Sequence, residues 1–107
     1  MTDQKKTRRE MLEESVAKNP SDAFARYGLA MECMNSGEAA AADTHFRFLI
    51  ENNAQYVPAY LMYGQFLARE SRNDEARKIL TAGISAAEKA NNHHAQSEME
   101  ALLHELA

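Results

Sequence analysis

The sequence predicts an all-α fold, and three features of its 107 residues carry that prediction. Apolar residues recur at spacings of three and four, the period of an amphipathic helix, and no stretch of useful length alternates with period two. Alanine, the best helix former, occurs 19 times. Glycine and proline, at 4 and 2 residues, are too few for a turn-rich β-sandwich or barrel. We therefore expect about six antiparallel helices that pack closely through small side chains.

The first three helices are predicted from the breaks between them. Asn19-Pro20-Ser21-Asp22 ends the first helix and caps the second, because a Ser or Asp side chain accepts hydrogen bonds from the free amides of a first turn. Asn35-Ser36-Gly37 forms a turn, and Asn52-Asn53 ends the third helix. The expected helices span about residues 5–18, 23–34 and 38–52.

Three more helices are predicted in the second half of the chain. Pro58 lies where a first helical turn tolerates proline, and Asn73-Asp74-Glu75 caps the next helix. Asn91-Asn92 ends that helix, and the last segment again carries apolar residues three and four apart. The expected helices span about residues 58–70, 73–90 and 93–106. Because the outer face of the last helix is polar, we expect it to cap the fold.

Charge and cysteine content limit the classes of partner and the compartment. Twelve basic and 16 acidic residues give a formal net charge of −4 and a pI near 5.5, without the basic excess of a nucleic-acid-binding protein. No apolar run approaches about 18 residues, and no apolar segment follows the basic start. Cys33 is the single cysteine, so an intramolecular disulfide is excluded. We expect a cytoplasmic protein that contacts neither nucleic acid nor a membrane.

The chain contains an internal repeat. Residues 23–28 read Ala-Phe-Ala-Arg-Tyr-Gly, and residues 59–64, which lie 36 positions later, read Ala-Tyr-Leu-Met-Tyr-Gly. In the helices that follow, Ala42 and Phe46 answer to Ala76 and Leu80, now 34 positions apart. The two-residue difference falls around the turn at 35–37. Repeats of this length indicate helix pairs that bury their faces by stacking on their neighbours.

These residues resemble the tetratricopeptide repeat (TPR) family, an α-solenoid of antiparallel helix pairs. The matching residues are Phe24, Tyr27, Gly28, Met31, Ala42 and Phe46 in the first copy and Tyr60, Tyr63, Gly64, Leu67, Ala76 and Leu80 in the second. Leu12 and Pro20 match the second half of a preceding repeat. The resemblance implies one domain, residues 1–107, with a half repeat (5–20), two repeats (21–54 and 55–90) and a capping helix (92–107).

The repeat has consequences for packing. A glycine inside a helix costs about 1 kcal/mol relative to alanine, so Gly28 and Gly64 are expected where another helix lies close. We expect Ala42 and Ala76 to face these two glycines. We also expect the aromatic rings of residues 24 and 60 to lie between neighbouring helices.

The sequence shows no catalytic motif and no cofactor motif. Cys33 has no histidine partner in a nucleophile pattern, so we interpret it as a small residue on or near a helix face. His93, His94 and His104, with Glu98 and Glu100 one turn away, leave metal binding as a minor alternative without the usual ligand motifs. The basic run at 5–9 is interpreted as a solvated helix start. We expect a protein that is not an enzyme and that needs no cofactor or metal.

In TPR proteins the first helix of each pair lines a concave surface that takes peptides, and the resemblance implies the same here. The corresponding residues of this chain, which we predict to bind a partner, are Arg26, Leu29, Glu32, Cys33, Leu61, Met62, Gln65 and Arg69. The places of the family's carboxylate clamp hold Ala25, Leu29, Leu61 and Gln65, so no such clamp is expected. The predicted function is a protein-interaction module that binds another protein or a peptide segment; the alternative is a structural homo-oligomer, such as a homodimer.

Overall fold

The computed structural model describes residues 6–106, which form six α-helices and no strand. The helices are α1 (Arg8–Lys18), α2 (Ala23–Asn35), α3 (Ala39–Asn52), α4 (Val57–Arg69), α5 (Asn73–Lys89) and α6 (His93–Glu105). The all-α prediction is confirmed, and α2 to α6 begin and end within one residue of their predicted bounds. Within residues 6–106, no helix combines the length and apolarity needed to cross a membrane.

Helix α1 begins at Arg8, later than predicted, because a capping box fixes its start. The Thr7 side chain accepts a hydrogen bond from the Glu10 amide at 3.1 Å, and the Glu10 carboxylate accepts one from the Thr7 amide at 2.8 Å. Two amides that a helix start leaves free are thereby satisfied. The predicted start at Lys5 lies outside the described residues.

Three helix ends share one turn geometry. Gly37, Ser71 and Asn91 follow α2, α4 and α5 with left-handed φ angles of 76°, 61° and 55°. In each case the amide of the next residue donates to the carbonyl five residues earlier, at 2.9, 2.8 and 2.9 Å in chain order. This pattern is the Schellman motif, which satisfies carbonyls that the end of a helix would leave free.

The chain divides into two compact units, which are described separately. Unit 1 ends at Phe48 and contains α1, α2 and most of α3; unit 2 begins at Leu49 and contains the end of α3 and α4, α5 and α6. The single domain with repeat bounds at 21–54 and 55–90 stays a prediction.

In unit 1, α1 lies close against α2 at Gly28. A Cβ atom placed on Gly28 would lie 3.0 Å from Leu12 Cδ2, so Leu12 takes the place we expected for Ala42, and that expectation was wrong. Phe24 is 71% exposed, which also contradicts the expected burial of its ring. It lies nine residues before the buried Cys33, on the opposite side of α2, and therefore faces away from the core. Besides Gly28, the buried residues of α2 and α3 in this unit are Ala25, Leu29, Ala30, Cys33, Met34, Ala42 and Phe46.

In unit 2, α5 approaches both α4 and α6 through glycines. A Cβ atom on Gly83 would lie 2.5 Å from Tyr60 Cβ and 2.5 Å from Met99 Sδ, and Tyr60 is buried as predicted. A Cβ atom on Gly64 would lie 2.5 Å from Leu80 Cδ2. Gly64 therefore faces Leu80 rather than the predicted Ala76, because the larger side chain already fills the space beside the α4 backbone. The core of unit 2 depends on these close contacts.

Candidate functional site

The α4 residues predicted to bind a partner lie on the accessible side of that helix. Leu61, Met62 and Gln65 are half-buried, and Arg69 is exposed. The opposite side of α4 carries the buried Tyr60 and other core residues, so the 3.6-residue period leaves Met62, Gln65 and Arg69 toward solvent. Leu61 lies at the edge of that accessible side, where it also packs against the core of unit 2. We call Leu61, Met62, Gln65 and Arg69 the α4 surface. It combines two aliphatic side chains, one amide and one cation.

The corresponding α2 residues are largely used inside unit 1. Leu29 is 3% exposed and Cys33 is fully buried, so neither offers a side chain to a partner in this structure. The Glu32 carboxylate pairs with Nε of Arg8 from α1 at 3.3 Å. Contacts from α1, those of Arg8 with Glu32 and of Arg9 with Cys33, account for part of this difference from the α4 surface.

Arg26 is engaged within unit 1 rather than free for an acidic partner. Its guanidinium carbon lies 3.9 Å from the ring centre of Phe48, and Nη2 donates to the Pro20 carbonyl at 3.3 Å. Nη1 lies 3.3 Å from Nδ1 of His45. The side chain therefore ties α2 to α3 by a cation–π contact and hydrogen bonds. Reversal of its charge is therefore expected to disturb the packing of unit 1 as well as any contact with a partner.

A second arginine, Arg9, connects α1 to Cys33 of α2 and to Glu38, which directly precedes α3. Nη2 donates to a Glu38 carboxylate oxygen at 2.9 Å and to Cys33 Sγ at 3.7 Å. The hydrogen bond from Arg9 lowers the pKa of Glu38 below its usual value. Burial raises the pKa of the Cys33 thiol, which keeps it protonated near neutral pH and makes it a poor nucleophile.

The histidines do not assemble into a metal site. His94 pairs with Glu98 one turn later on α6, at an exposed position. Within residues 6–106, no group of three or more His, Cys, Asp or Glu side chains is arranged to hold a metal ion. His45 is half-buried, and burial, followed by the charge of Arg26, lowers its pKa.

The sequence analysis missed a cavity beside α5. It has a volume of about 390 Å³ and lies in unit 2, with Tyr60, Ser85 and Lys89 among its lining residues. A signal was present in the sequence, since Ala82, Ala86 and Ala90 recur every four residues along α5, and all three also line the cavity.

Comparison with known proteins identifies a curated relative by sequence and a solved structure of similar fold. The chain is 28% identical over 99 residues to the TPR repeat-containing protein PA0015 of Pseudomonas aeruginosa, covering 91% of this chain and 92% of that protein. No family model matches the chain. The solution structure of protein BPP2914 from Bordetella parapertussis superimposes with a TM-score of 0.79 at 22% identity, over 95% of this chain and 89% of that one. The name of the curated relative confirms the resemblance to the TPR family. The structural match confirms the TPR-like all-α fold.

Proposed function

We propose that this chain acts in the cytoplasm as a non-enzymatic protein-interaction module that binds a partner segment on the α4 surface. The observation that carries the proposal is the set of four accessible side chains on α4, at the places where TPR proteins bind peptides. The relative named as a TPR repeat-containing protein supports the same general role.

The chemistry of the α4 surface indicates the kind of segment that fits. Leu61 and Met62 offer apolar contact area, and methionine adapts its shape to different partners. Arg69 offers a planar guanidinium that binds a carboxylate with two parallel hydrogen bonds. A partner segment with an apolar residue and an acidic residue satisfies both features.

The proposal is tested by affinity purification of the whole chain from cells that naturally make it, with quantitative mass spectrometry. Met62→Glu and Arg69→Glu place acids on the α4 surface, and Lys78→Glu on exposed α5 is the matched charge reversal. We expect the wild type and the α5 variant to retain the same partner and both α4 variants to lose it, with unchanged circular dichroism. Retention by both α4 variants, or no partner specific to the wild type, would refute the proposal.

Self-association is a second candidate function because two large apolar side chains are exposed in unit 1. Met11 is 52% exposed and Phe24 is 71% exposed. Exposed apolar groups of this size favour association with another surface. Light scattering over a range of concentrations is the test: a dimer that Phe24→Ser converts to a monomer supports this candidate, and a monomer at every concentration eliminates it.

A further inference from the structure

The cavity beside α5 has the size of a ligand site. Its volume is about 390 Å³, within the range of about 300–1,000 Å³ found for small-molecule pockets. The α3–α4 connection, α4 and α5 each contribute to its lining, all within unit 2. The cavity opens to solvent, since its lining residues other than Tyr60 and Ala86 are exposed.

Half of the lining residues within 6–106 are alanine. Ala54 comes from the α3–α4 connection, Ala82 and Ala86 from one side of α5, and Ala90 is the residue that follows α5. The exposed side of a helix usually carries long polar side chains, which would fill such a space. Alanine at these positions leaves room for the apolar part of a ligand.

The polar groups of the lining favour an anion. Lys89 is the one charged residue among the lining residues, and the Ser85 hydroxyl and the Gln55 amide supply further donors. The Tyr60 hydroxyl already donates to the Ala54 carbonyl at 2.7 Å, so its proton is used within the protein. Although the chain has a formal net charge of −4, none of the acidic side chains within residues 6–106 lines this cavity. A neighbouring depression on α5 is lined by Arg77 and Lys78, of which Arg77 already pairs with Asp74.

We propose that this cavity binds an apolar carboxylate, with its hydrocarbon part against the alanine methyl groups and its carboxylate on Lys89. The ligand class is an acid with a body of about one phenyl ring, either free or as neighbouring apolar and acidic side chains of a peptide. The site differs from the α4 surface, because none of Leu61, Met62, Gln65 and Arg69 is among the lining residues of the cavity. The inference therefore does not depend on the function proposed above.

The test is an NMR titration of the whole ¹⁵N-labelled chain with 3-phenylpropanoate. We expect saturable shifts at the amides of residues 54–60 and 82–90, with a dissociation constant on the order of 1–10 mM, since a ligand this small gains little per atom. The alcohol 3-phenylpropan-1-ol, which lacks the carboxylate, should bind about three-fold more weakly, the effect expected for an exposed ion pair. A blocked Phe-Glu dipeptide is titrated in parallel. Tighter binding of the dipeptide than of 3-phenylpropanoate indicates a peptide ligand, and tighter binding of 3-phenylpropanoate indicates a free acid.

Matched variants identify the cavity as the site. Lys89→Gln should weaken binding of the acid about three-fold and leave binding of the alcohol unchanged, while Lys18→Gln in unit 1 should change neither. Ser85→Leu should fill the cavity and abolish both, while Ser97→Leu on exposed α6 should have no effect. The proposal is overturned by the absence of saturable shifts for both the acid and the dipeptide up to about 50 mM. It is equally overturned if Lys89→Gln leaves binding of the acid unchanged.

Discussion

Replacing Gly83 by alanine is expected to destabilise unit 2, although alanine is the better helix former. The added Cβ would lie 2.5 Å from Tyr60 Cβ and from Met99 Sδ, whereas ordinary contact begins near 3.4 Å. Met99 has a flexible side chain, but it is fully buried and has little space to move. The Cβ atom of Tyr60 is bonded to the backbone, so relief requires α4 to move away from α5.

The net effect follows from two opposing contributions. Overpacking of a well-filled core costs about 1–3 kcal/mol, and the better helix propensity of alanine returns about 1 kcal/mol. Because both contacts of the added Cβ would be 2.5 Å, we take the upper part of the overpacking range, about 2–3 kcal/mol, which leaves a net loss of about 1–2 kcal/mol in the free energy of unfolding. For a domain of this size that corresponds to a fall of roughly 4–15 °C in melting temperature.

Gly28→Ala is the matched control for this substitution. Its Cβ would lie 3.0 Å from Leu12 Cδ2, and Leu12 is only half-buried, so the end of that side chain can move aside. The gain in helix propensity should then hold or raise stability. Both variants are compared with the wild type by thermal and urea unfolding, monitored by circular dichroism. A Gly83→Ala chain that is as stable as the wild type would refute the close-contact argument.

Three other side chains give further predictions. Arg26→Glu should lower the free energy of unfolding by about 1–2 kcal/mol because it removes the contact with Phe48. Arg69→Glu should leave the urea midpoint unchanged, and equal midpoints for the two variants would contradict the role of Arg26. The lowered pKa of His45 means that the folded protein favours the neutral imidazole, so the stability that His45 contributes is present above its ordinary pKa of 6.5 and is lost as the pH falls below that value. Urea midpoints at pH 7.5 and 5.5 should therefore differ more for the wild type than for His45→Gln. Identical differences would count against this coupling. Cys33 should react slowly with a thiol reagent in the native chain and rapidly in denaturant, because it is fully buried; rapid native labelling would show that unit 1 opens there.

The helices could be predicted because their ends depend on neighbouring residues. Asp22 caps α2 by accepting from the Ala25 amide at 3.1 Å, and Asn92 caps α6 by accepting from the Ala95 amide at 3.1 Å. Both caps are visible in the sequence as a short polar residue before an apolar period. The capping box of Thr7 and Glu10 was equally local, and reading it would have corrected the start of α1.

The candidate site was harder to predict because its residues depend on contacts between distant segments. Arg26 contacts the ring of Phe48, 22 positions later in the chain, and Cys33 contacts Arg9, 24 positions earlier. Helix α1 has few apolar residues and no buried one, so its sequence did not indicate that it would pack against α2. The α4 surface was easier to read, since the buried stripe of that helix leaves its other side accessible.

The left-handed turns have a consequence for engineering this fold. Ser71 and Asn91 hold positive φ angles, where a side chain with a Cβ atom costs roughly 1 kcal/mol compared with glycine, and asparagine less than serine. Gly37 meets the same requirement without that strain. The readiest gain in heat resistance therefore lies at the helix connections, beginning with residue 71, rather than in the tightly filled interior.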